Sequence, residues 1–242
     1  MVIITMLQKI LNFISPLVII CFACASDMES YQPAVNSIEE EPEITSISIL
    51  ALGDSYTIGQ GVSQESSWPY QLRDSLKKDA IAVDTLTVIA RTGWTTKDLI
   101  TAIADRSPST HNFVSLLIGV NNQYQNKPFS QFTEEFNILL QKAIALANGS
   151  DNVILVSIPD YGVTPFGSNN AENIAQELDK YNDYVYQKAQ ENNISYIDVT
   201  SISRALGDSE NALADDNLHP SAYQYSKWVE KILDVLRKKI TH

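Results

Sequence analysis

From residue 44 onward, the chain alternates between short apolar runs and longer stretches in which apolar residues recur every three or four positions. The short runs are rich in aliphatic and β-branched residues and predict buried strands. They span 47–52, 85–90, 113–118, 152–158 and 194–199. The longer stretches predict helices over 68–80, 96–104, 132–147, 170–192 and 222–239. Because alternating strands and helices form a parallel sheet covered on both faces, we predict a three-layer α/β/α domain with a five-stranded parallel sheet over residues 44–242.

Residues 1–25 have a different pattern and are expected to be a signal peptide. Lys9 is their only charged residue, and the apolar run that follows it ends in small residues. The segment Ala23-Cys24-Ala25 fits two outcomes, cleavage after Ala25 or a lipoprotein signal that leaves Cys24 as a lipidated N-terminus. Residues 26–43 are polar and acidic and are expected to form a flexible tether, which favours the lipoprotein. We expect an exported protein, periplasmic or lipid-anchored in a bacterial cell envelope, or secreted.

The chain is acidic, with 29 Asp and Glu against 17 Lys and Arg and a net charge of −12. Nucleic acids and anionic membranes are polyanions, so we expect no nucleic-acid partner, and membrane contact only through an N-terminal lipid anchor. The two cysteines, Cys21 and Cys24, precede the folded domain, and three scattered histidines offer no ligand cluster. We therefore expect no disulfide, no metal and no cofactor in that domain. The sequence leaves the oligomeric state open.

The residues that follow each predicted strand are candidates for a site, because ligands of open parallel sheets bind beyond the carboxyl ends of the strands. Ser55 follows the first strand, Gly93 the second and Asn121 the third. Asp216 and His219 lie between the fifth strand and the last helix. The topology alone therefore predicts that these residues gather on one rim of the sheet.

These residue types are typical of acyl transfer. A serine hydroxyl becomes a nucleophile when a neighbouring base takes its proton, and histidine suits that role because it titrates near neutrality. A carboxylate can orient the histidine, and the three-residue spacing to His219 favours Asp216 over Asp215. The oxyanion of a tetrahedral intermediate needs hydrogen-bond donors, which the backbone at Gly93 and the amide of Asn121 can supply.

Four segments stand out along the chain, and they are Gly53-Asp54-Ser55-Tyr56-Thr57-Ile58-Gly59, Gly93, Gly119-Val120-Asn121 and Asp216-Asn217-Leu218-His219-Pro220. They resemble, in the same order, sequence blocks of the GDSL/SGNH hydrolases. The segments Ala90-Arg91-Thr92-Gly93-Trp94 and Trp68-Pro69 add a likeness to the lysophospholipase and arylesterase-like branch of that family. The resemblance implies the SGNH hydrolase fold, with a flavodoxin-like sheet. At one position the chain departs from the family, because the third block usually continues with aspartate and here continues with Asn122. This departure concerns loop geometry or substrate contacts more than catalysis.

The resemblance also implies a role for each candidate residue. By this resemblance, Ser55 is the nucleophile, His219 is the base and Asp216 orients His219. The backbone N–H groups of Ser55 and Gly93 and the side chain of Asn121 form the oxyanion hole. The implied activity is that of a serine esterase acting on carboxylic esters with short or medium acyl chains, so the expected partner is a small-molecule, lipid or carbohydrate ester. Two alternatives stay open, a carbohydrate O-acetyl esterase and a non-catalytic glycan- or lipid-binding protein on the same fold.

Other residues of the sequence have structural interpretations. The segment Leu206-Gly207-Asp208-Ser209 repeats the residues around Ser55, but it follows no predicted strand and is expected to be a surface turn. His111 and His242 are expected to be structural or exposed. Aromatic residues of the rim are expected either to line an acyl pocket or to pack beside it, and they are Trp94, Tyr124 and Tyr161.

Overall fold

The computed structural model describes residues 45–240, so the predicted signal peptide and tether lie outside the described residues and stay predictions. The strands in this range are β1 (Thr45–Gly53), β2 (Ile81–Ala90), β3 (Phe113–Leu117), β4 (Val153–Val156) and β5 (Ser195–Ile197). They form one sheet with the order β2-β1-β3-β4-β5, and every neighbouring pair is parallel. The predicted five-stranded parallel sheet is confirmed, and its strand order is that of flavodoxin-like folds.

Helices occupy most of the connections between the strands. The α-helices are α1 (Ser55–Ile58), α2 (Trp68–Lys78), α3 (Thr96–Arg106), α4 (Val120–Tyr124), α5 (Phe129–Leu146), α6 (Ala171–Glu191), α7 (Thr200–Leu206) and α8 (Ala222–Ile240). Short 3-10 turns lie at Gln64–Ser66, Ser150–Asn152, Tyr161–Val163 and Ser168–Asn170. No helix in the described part of the chain combines the length and apolar character needed to cross a membrane.

The helices pack on both faces of the sheet and give the predicted three layers. Helix α2 packs against α8, α3 packs against α5, and α6 contacts β4 and β5. Right-handed crossovers place α2 and α8 on one face and α3, α5 and α6 on the other. All five residues of β3 are buried, because the central strand is covered on both sides.

Strand β2 begins at Ile81, four residues before the predicted start at Thr85, because a polar residue interrupts its apolar pattern. Ile47 pairs with Val83, but the next residue, Ser48, pairs with Thr85, so Asp84 is left as the extra residue of a bulge. The Asp84 carboxylate accepts a hydrogen bond from the Ser46 hydroxyl of the neighbouring strand. The bulge therefore accommodates a charged residue inside a strand that is otherwise regular.

The carboxyl ends of the three neighbouring strands β2, β1 and β3 lie level with one another. Gly53, the last residue of β1, pairs in register with Ala90 of β2 and with Leu117 of β3. The chain leaves β1 towards β2 on one side and later returns to β3 on the other. Such a reversal of direction opens a crevice above the strand ends, so the loops after β1, β2 and β3 meet there.

Candidate active site

Ser55 is the first residue of α1, the short helix that follows β1. Asp54 caps this helix, because its side chain accepts a hydrogen bond from the Tyr56 backbone N–H at 3.0 Å. Gly59 ends the helix in the left-handed conformation, with a φ of 82°. The N–H of a first helical residue has no acceptor inside its own helix, so the Ser55 N–H is available to a ligand.

Gly53 allows β1 to turn into α1 at very close range. A Cβ at this position would lie 2.6 Å from the carbonyl oxygen of Leu117 and would also collide with the Thr57 side chain. A larger residue would therefore push α1 away from β3. The glycine thus sets the height of Ser55 above the sheet.

His219 and Asp216 form a compact unit in the loop before α8. Asp216 Oδ2 lies 2.7 Å from His219 Nδ1, while Oδ1 accepts hydrogen bonds from the backbone N–H groups of Leu218 at 3.0 Å and His219 at 2.9 Å. Asn217 takes the left-handed conformation that this tight turn requires, with a φ of 56°. Partial burial alone would raise the pKa of Asp216, but the hydrogen bonds from His219 and Leu218 outweigh it, so the pKa lies below its ordinary value. Asp216 therefore stays ionised and holds the imidazole through one nitrogen.

Gly93 and Asn121 bring hydrogen-bond donors to the same crevice from the ends of β2 and β3. Gly93 has a φ of 81°, and its N–H donates no hydrogen bond within the described residues. Asn121 lies in α4, and its Nδ2 donates to the Trp94 carbonyl at 3.0 Å. An amide nitrogen carries two protons, so one fixes the side chain and the other remains for a ligand. Gln125 steadies the Gly93 turn by donating to the Gly93 carbonyl at 3.1 Å.

One cavity of about 260 Å³ joins these groups. Its lining residues are Ser55, Tyr56, Thr92, Gly93, Val120, Asn121, Tyr124, Tyr161, Phe166, Leu218 and His219. The exposed fraction is only 5% for Ser55 and 9% for His219, so both reach solvent mainly through this cavity. Tyr56 packs beneath the imidazole, with ring centroids 5.6 Å apart. Within the described structure no hydrogen bond joins the Ser55 hydroxyl to the His219 ring.

Asn122, at the position where the sequence departs from the family pattern, lies in a buried hydrogen-bond chain. Its Oδ1 accepts from the Thr96 backbone N–H at 3.0 Å, and its Nδ2 donates to the Thr96 hydroxyl at 2.7 Å. The Thr96 hydroxyl in turn donates to the Glu135 carboxylate. Because a hydroxyl has one proton and Glu135 receives it, residue 122 must supply a donor, which an asparagine can do and an ionised aspartate cannot. The asparagine at this position is therefore explained by its hydrogen bonds to Thr96 at the start of α3. Asn122 is not among the residues that line the cavity.

The remaining sequence candidates fall into separate places. Asp215 is exposed, and the repeated Gly-Asp-Ser ends at the exposed Ser209 just after α7. His111 is buried between Thr87 and the Ser109 carbonyl, and His242 lies outside the described residues.

Of the aromatic candidates, Tyr124 and Tyr161 line the cavity, whereas Trp94 contributes its backbone carbonyl to Asn121 and packs on the core. Sequence reasoning missed Phe166 and Leu218 as lining residues. Phe166 lies in the connection between β4 and α6, where no periodic pattern indicates which way a side chain points. Leu218 lies between Asp216 and His219, and this position could have indicated that its side chain lines the cavity.

Asn122→Asp should destabilise the fold by about 1–3 kcal/mol, because two carboxylates would then compete for the single proton of the Thr96 hydroxyl. Adding Glu135→Gln should restore most of this loss, since Thr96 could then donate to Asp and accept from Gln. Urea unfolding of the wild type, both single variants and the double variant measures the coupling. Purely additive free energies would contradict this account of the asparagine.

Asp54→Asn should become more stable relative to the wild type as the pH rises from 4 to 8. Asp54 is fully buried, its Oδ2 has no hydrogen-bond partner among the described residues, and burial raises its pKa from 3.8 to about 7. Between these values the unfolded chain releases the proton that the folded chain keeps, so this group stabilises the fold below pH 4 and that stabilisation is lost as the pH rises towards 7. The loss amounts to roughly 4 kcal/mol, which an asparagine avoids.

Unfolding free energies of wild type and Asp54→Asn across this pH range test the prediction. Asparagine keeps the acceptor for Tyr56, whereas Asp54→Ala also removes the helix cap and should cost about 1 kcal/mol in addition. A constant difference between wild type and Asp54→Asn at every pH would show that Asp54 is not the titrating group.

Solved structures share this fold at low sequence identity. The acetyl xylan esterase AlAXEase superposes with a TM-score of 0.61 at 19% identity, covering 78% of this chain and 98% of its own. A lipolytic protein of the G-D-S-L family from Veillonella parvula gives a TM-score of 0.60 at 22% identity, with 78% and 98% covered. The psychrotrophic esterase EstA from Pseudoalteromonas sp. gives 0.57 at 18% identity, with 81% and 99% covered. At these identities the likeness shows the fold alone.

No curated protein matches this chain in sequence. The model of the GDSL-like lipase/acylhydrolase family, by contrast, matches residues 51–227, a range that is most of the chain and holds all the candidate site residues. The chain therefore belongs to the GDSL-like lipase/acylhydrolase family, a family of ester hydrolases.

Proposed function

We propose that the protein is a serine esterase that hydrolyses carboxylic esters with short or medium acyl chains through an acyl-enzyme. The observation that carries this proposal is the shared cavity of Ser55 and His219, with Asp216 bonded to the far nitrogen of the imidazole. Because Nδ1 is held by Asp216, Nε2 is the nitrogen left to exchange a proton with the serine.

In the proposed reaction, Ser55 Oγ attacks the ester carbonyl carbon while His219 Nε2 takes the hydroxyl proton. The intermediate collapses, the bond to the alcohol oxygen breaks, and His219 returns the proton to the leaving alcohol. Water then attacks the acyl-enzyme with His219 again as base, which releases the acid and regenerates Ser55. The ionised Asp216 stabilises the imidazolium that forms in each half-reaction.

The developing oxyanion needs donors that are already in place. We assign this role to the N–H groups of Ser55 and Gly93 and to the second amide proton of Asn121, whose first proton is held by the Trp94 carbonyl. The Ser55 hydroxyl must also rotate towards His219, because the structure as described has no hydrogen bond between them. Such bonds are often absent without substrate and form in the reactive complex.

The size of the cavity supports a small acyl group. Its volume of about 260 Å³ lies below the range of roughly 300–1,000 Å³ found for sites of drug-sized ligands. Val120, Tyr124 and Leu218 give it apolar walls suited to an alkyl chain. A short chain is compatible with arylesterase-like substrates and with acetylated carbohydrate, the substrate class in the name of the structurally similar acetyl xylan esterase AlAXEase. We further propose that the protein works outside the cytoplasm, as the pattern of residues 1–25 indicates.

Ser55→Ala should abolish hydrolysis of p-nitrophenyl acetate and butyrate, with a loss of roughly a thousandfold or more, because Ser55 is the one serine among the described residues that lines the cavity with His219. Ser209→Ala is the matched control, since Ser209 ends the second Gly-Asp-Ser of the chain and lies on the surface. A fluorophosphonate should label the wild type and Ser209→Ala but not Ser55→Ala. A wild type that neither hydrolyses esters nor takes the label would support the non-catalytic binding protein instead.

Asn121→Ala should lower kcat on the order of a hundredfold and change KM little, because the amide acts on the oxyanion rather than on the bound ester. Gln141→Ala, which removes an exposed amide on α5, is the control for general effects. Steady-state kinetics with p-nitrophenyl butyrate distinguish the two variants. Unchanged turnover in Asn121→Ala would remove Asn121 from the oxyanion hole.

A further inference from the structure

A second cavity of about 350 Å³ adjoins the site and has a different chemical character. We call it the amide groove, and its polar lining residues are Gln123, Asn126, Asn169, Asn170, Asn173 and Glu177. Most of these side chains are exposed amides, which can both donate and accept hydrogen bonds. The described lining of this groove contains no Lys or Arg.

The groove is joined to the site by an aromatic wall made of Tyr124, Tyr161 and Phe166, which lines both cavities. The ring of Tyr124 lies 6.2 Å from that of Tyr161 and 5.9 Å from that of Phe166. Tyr124 and Phe166 are 54% and 52% exposed, so their rings face solvent instead of the core. Two large exposed aromatic rings next to a reactive serine indicate a surface that binds a ligand.

Some polar side chains of the groove are held by hydrogen bonds within the protein, and others have no such bond among the described residues. Gln123 is buried; it accepts a hydrogen bond from the Tyr161 hydroxyl at 2.8 Å and donates to Glu177 Oε2. The second carboxylate oxygen of Glu177 remains as an acceptor. Asn169 and Asn173 also line the groove, and their side chains make no hydrogen bond within the described residues. The groove therefore offers a ligand unused donors and acceptors around the buried, hydrogen-bonded Gln123.

From these features we propose that the amide groove binds a saccharide, which is the alcohol part of the ester whose acyl group reacts with Ser55. This inference rests on the proposed esterase function and specifies its substrate class. Sugar hydroxyls are donors and acceptors that match amides and a carboxylate, and the C–H faces of sugar rings pack on aromatic rings. A phosphate headgroup fits poorly, because the described lining of the groove holds the carboxylate of Glu177 and no cation, whereas Lys127 and Lys180 line a neighbouring depression.

The test compares an O-acetylated xylo-oligosaccharide with p-nitrophenyl acetate as substrates of the full chain. The double variant Asn169→Ala/Asn173→Ala should lower the ratio of kcat/KM for the saccharide ester to kcat/KM for p-nitrophenyl acetate by about tenfold, since two hydrogen bonds are lost. Gln141→Ala, the matched amide control, should leave that ratio unchanged. Thermal unfolding verifies that the double variant is folded, and a ratio of two activities does not depend on the fraction of active enzyme.

Two outcomes would overturn the saccharide proposal. One is an unchanged ratio in the double variant. The other is an equal loss of activity towards 1-palmitoyl-lysophosphatidylcholine, which would indicate that the groove binds polar headgroups in general.

Binding of unacylated sugar separates this proposal from the esterase function on which it rests. Xylotriose should bind more tightly than xylose in calorimetry, and Asn169→Ala/Asn173→Ala should weaken the binding of xylotriose about tenfold. If no ester is hydrolysed and Ser55 takes no label, the esterase proposal fails while sugar binding still supports the groove. Absence of xylotriose binding together with active ester hydrolysis would overturn the proposal that the groove binds a saccharide and would leave the esterase proposal standing.

Discussion

The register between three strands determines where the whole site lies. Gly53 pairs with Ala90 on one side and with Leu117 on the other, so β1, β2 and β3 end at the same level. Ser55, Gly93 and Asn121 follow these three ends within a few residues, and their donors therefore meet in one crevice. A slip of one residue in any pair would turn the last side chain of that strand to the other face and carry its loop away. The absence of a Cβ at Gly53 keeps the spacing tight, because even a methyl group would collide with the Leu117 carbonyl.

The sequence predicted the elements whose patterns come directly from burial. Central strands covered on both faces are mostly apolar, so β3 and β4 could be recognised from their residues alone. The start of β2 could not, because Asp84 is accommodated by a bulge that depends on pairing with β1. The short helices α4 and α7 were also missed, since five and seven residues are too few to show a helical period.

In the site, too, the features set by local sequence were predictable and those set by tertiary packing were not. Asp216 and His219 are three residues apart, and local geometry with Asn217 in the left-handed conformation is enough to bring them together. The place of Asn121 depends on α4 and on the Trp94 carbonyl, neither of which leaves a mark in the sequence. Asn122 could be read only as a departure from a family pattern, because the reason for it lies in Thr96 and Glu135 on two other helices. Long-range partners of this kind are set by tertiary packing.

The contacts around Ser55 and His219 indicate which part of the site would move to form the hydrogen bond that is absent between them in the described structure. Asp216 bonds to the ring and to the backbone of His219, so the imidazole cannot swing without losing the hydrogen bond between its Nδ1 and Asp216. The backbone of Ser55 is equally restricted, because Gly53 packs against β3 and Asp54 and Gly59 close the ends of α1. What remains is rotation about the Cα–Cβ bond of Ser55, which has three staggered positions. In the proposed esterase, we therefore expect the serine–histidine pair to close by rotation of the Ser55 side chain, while the backbone that holds the oxyanion donors stays in place.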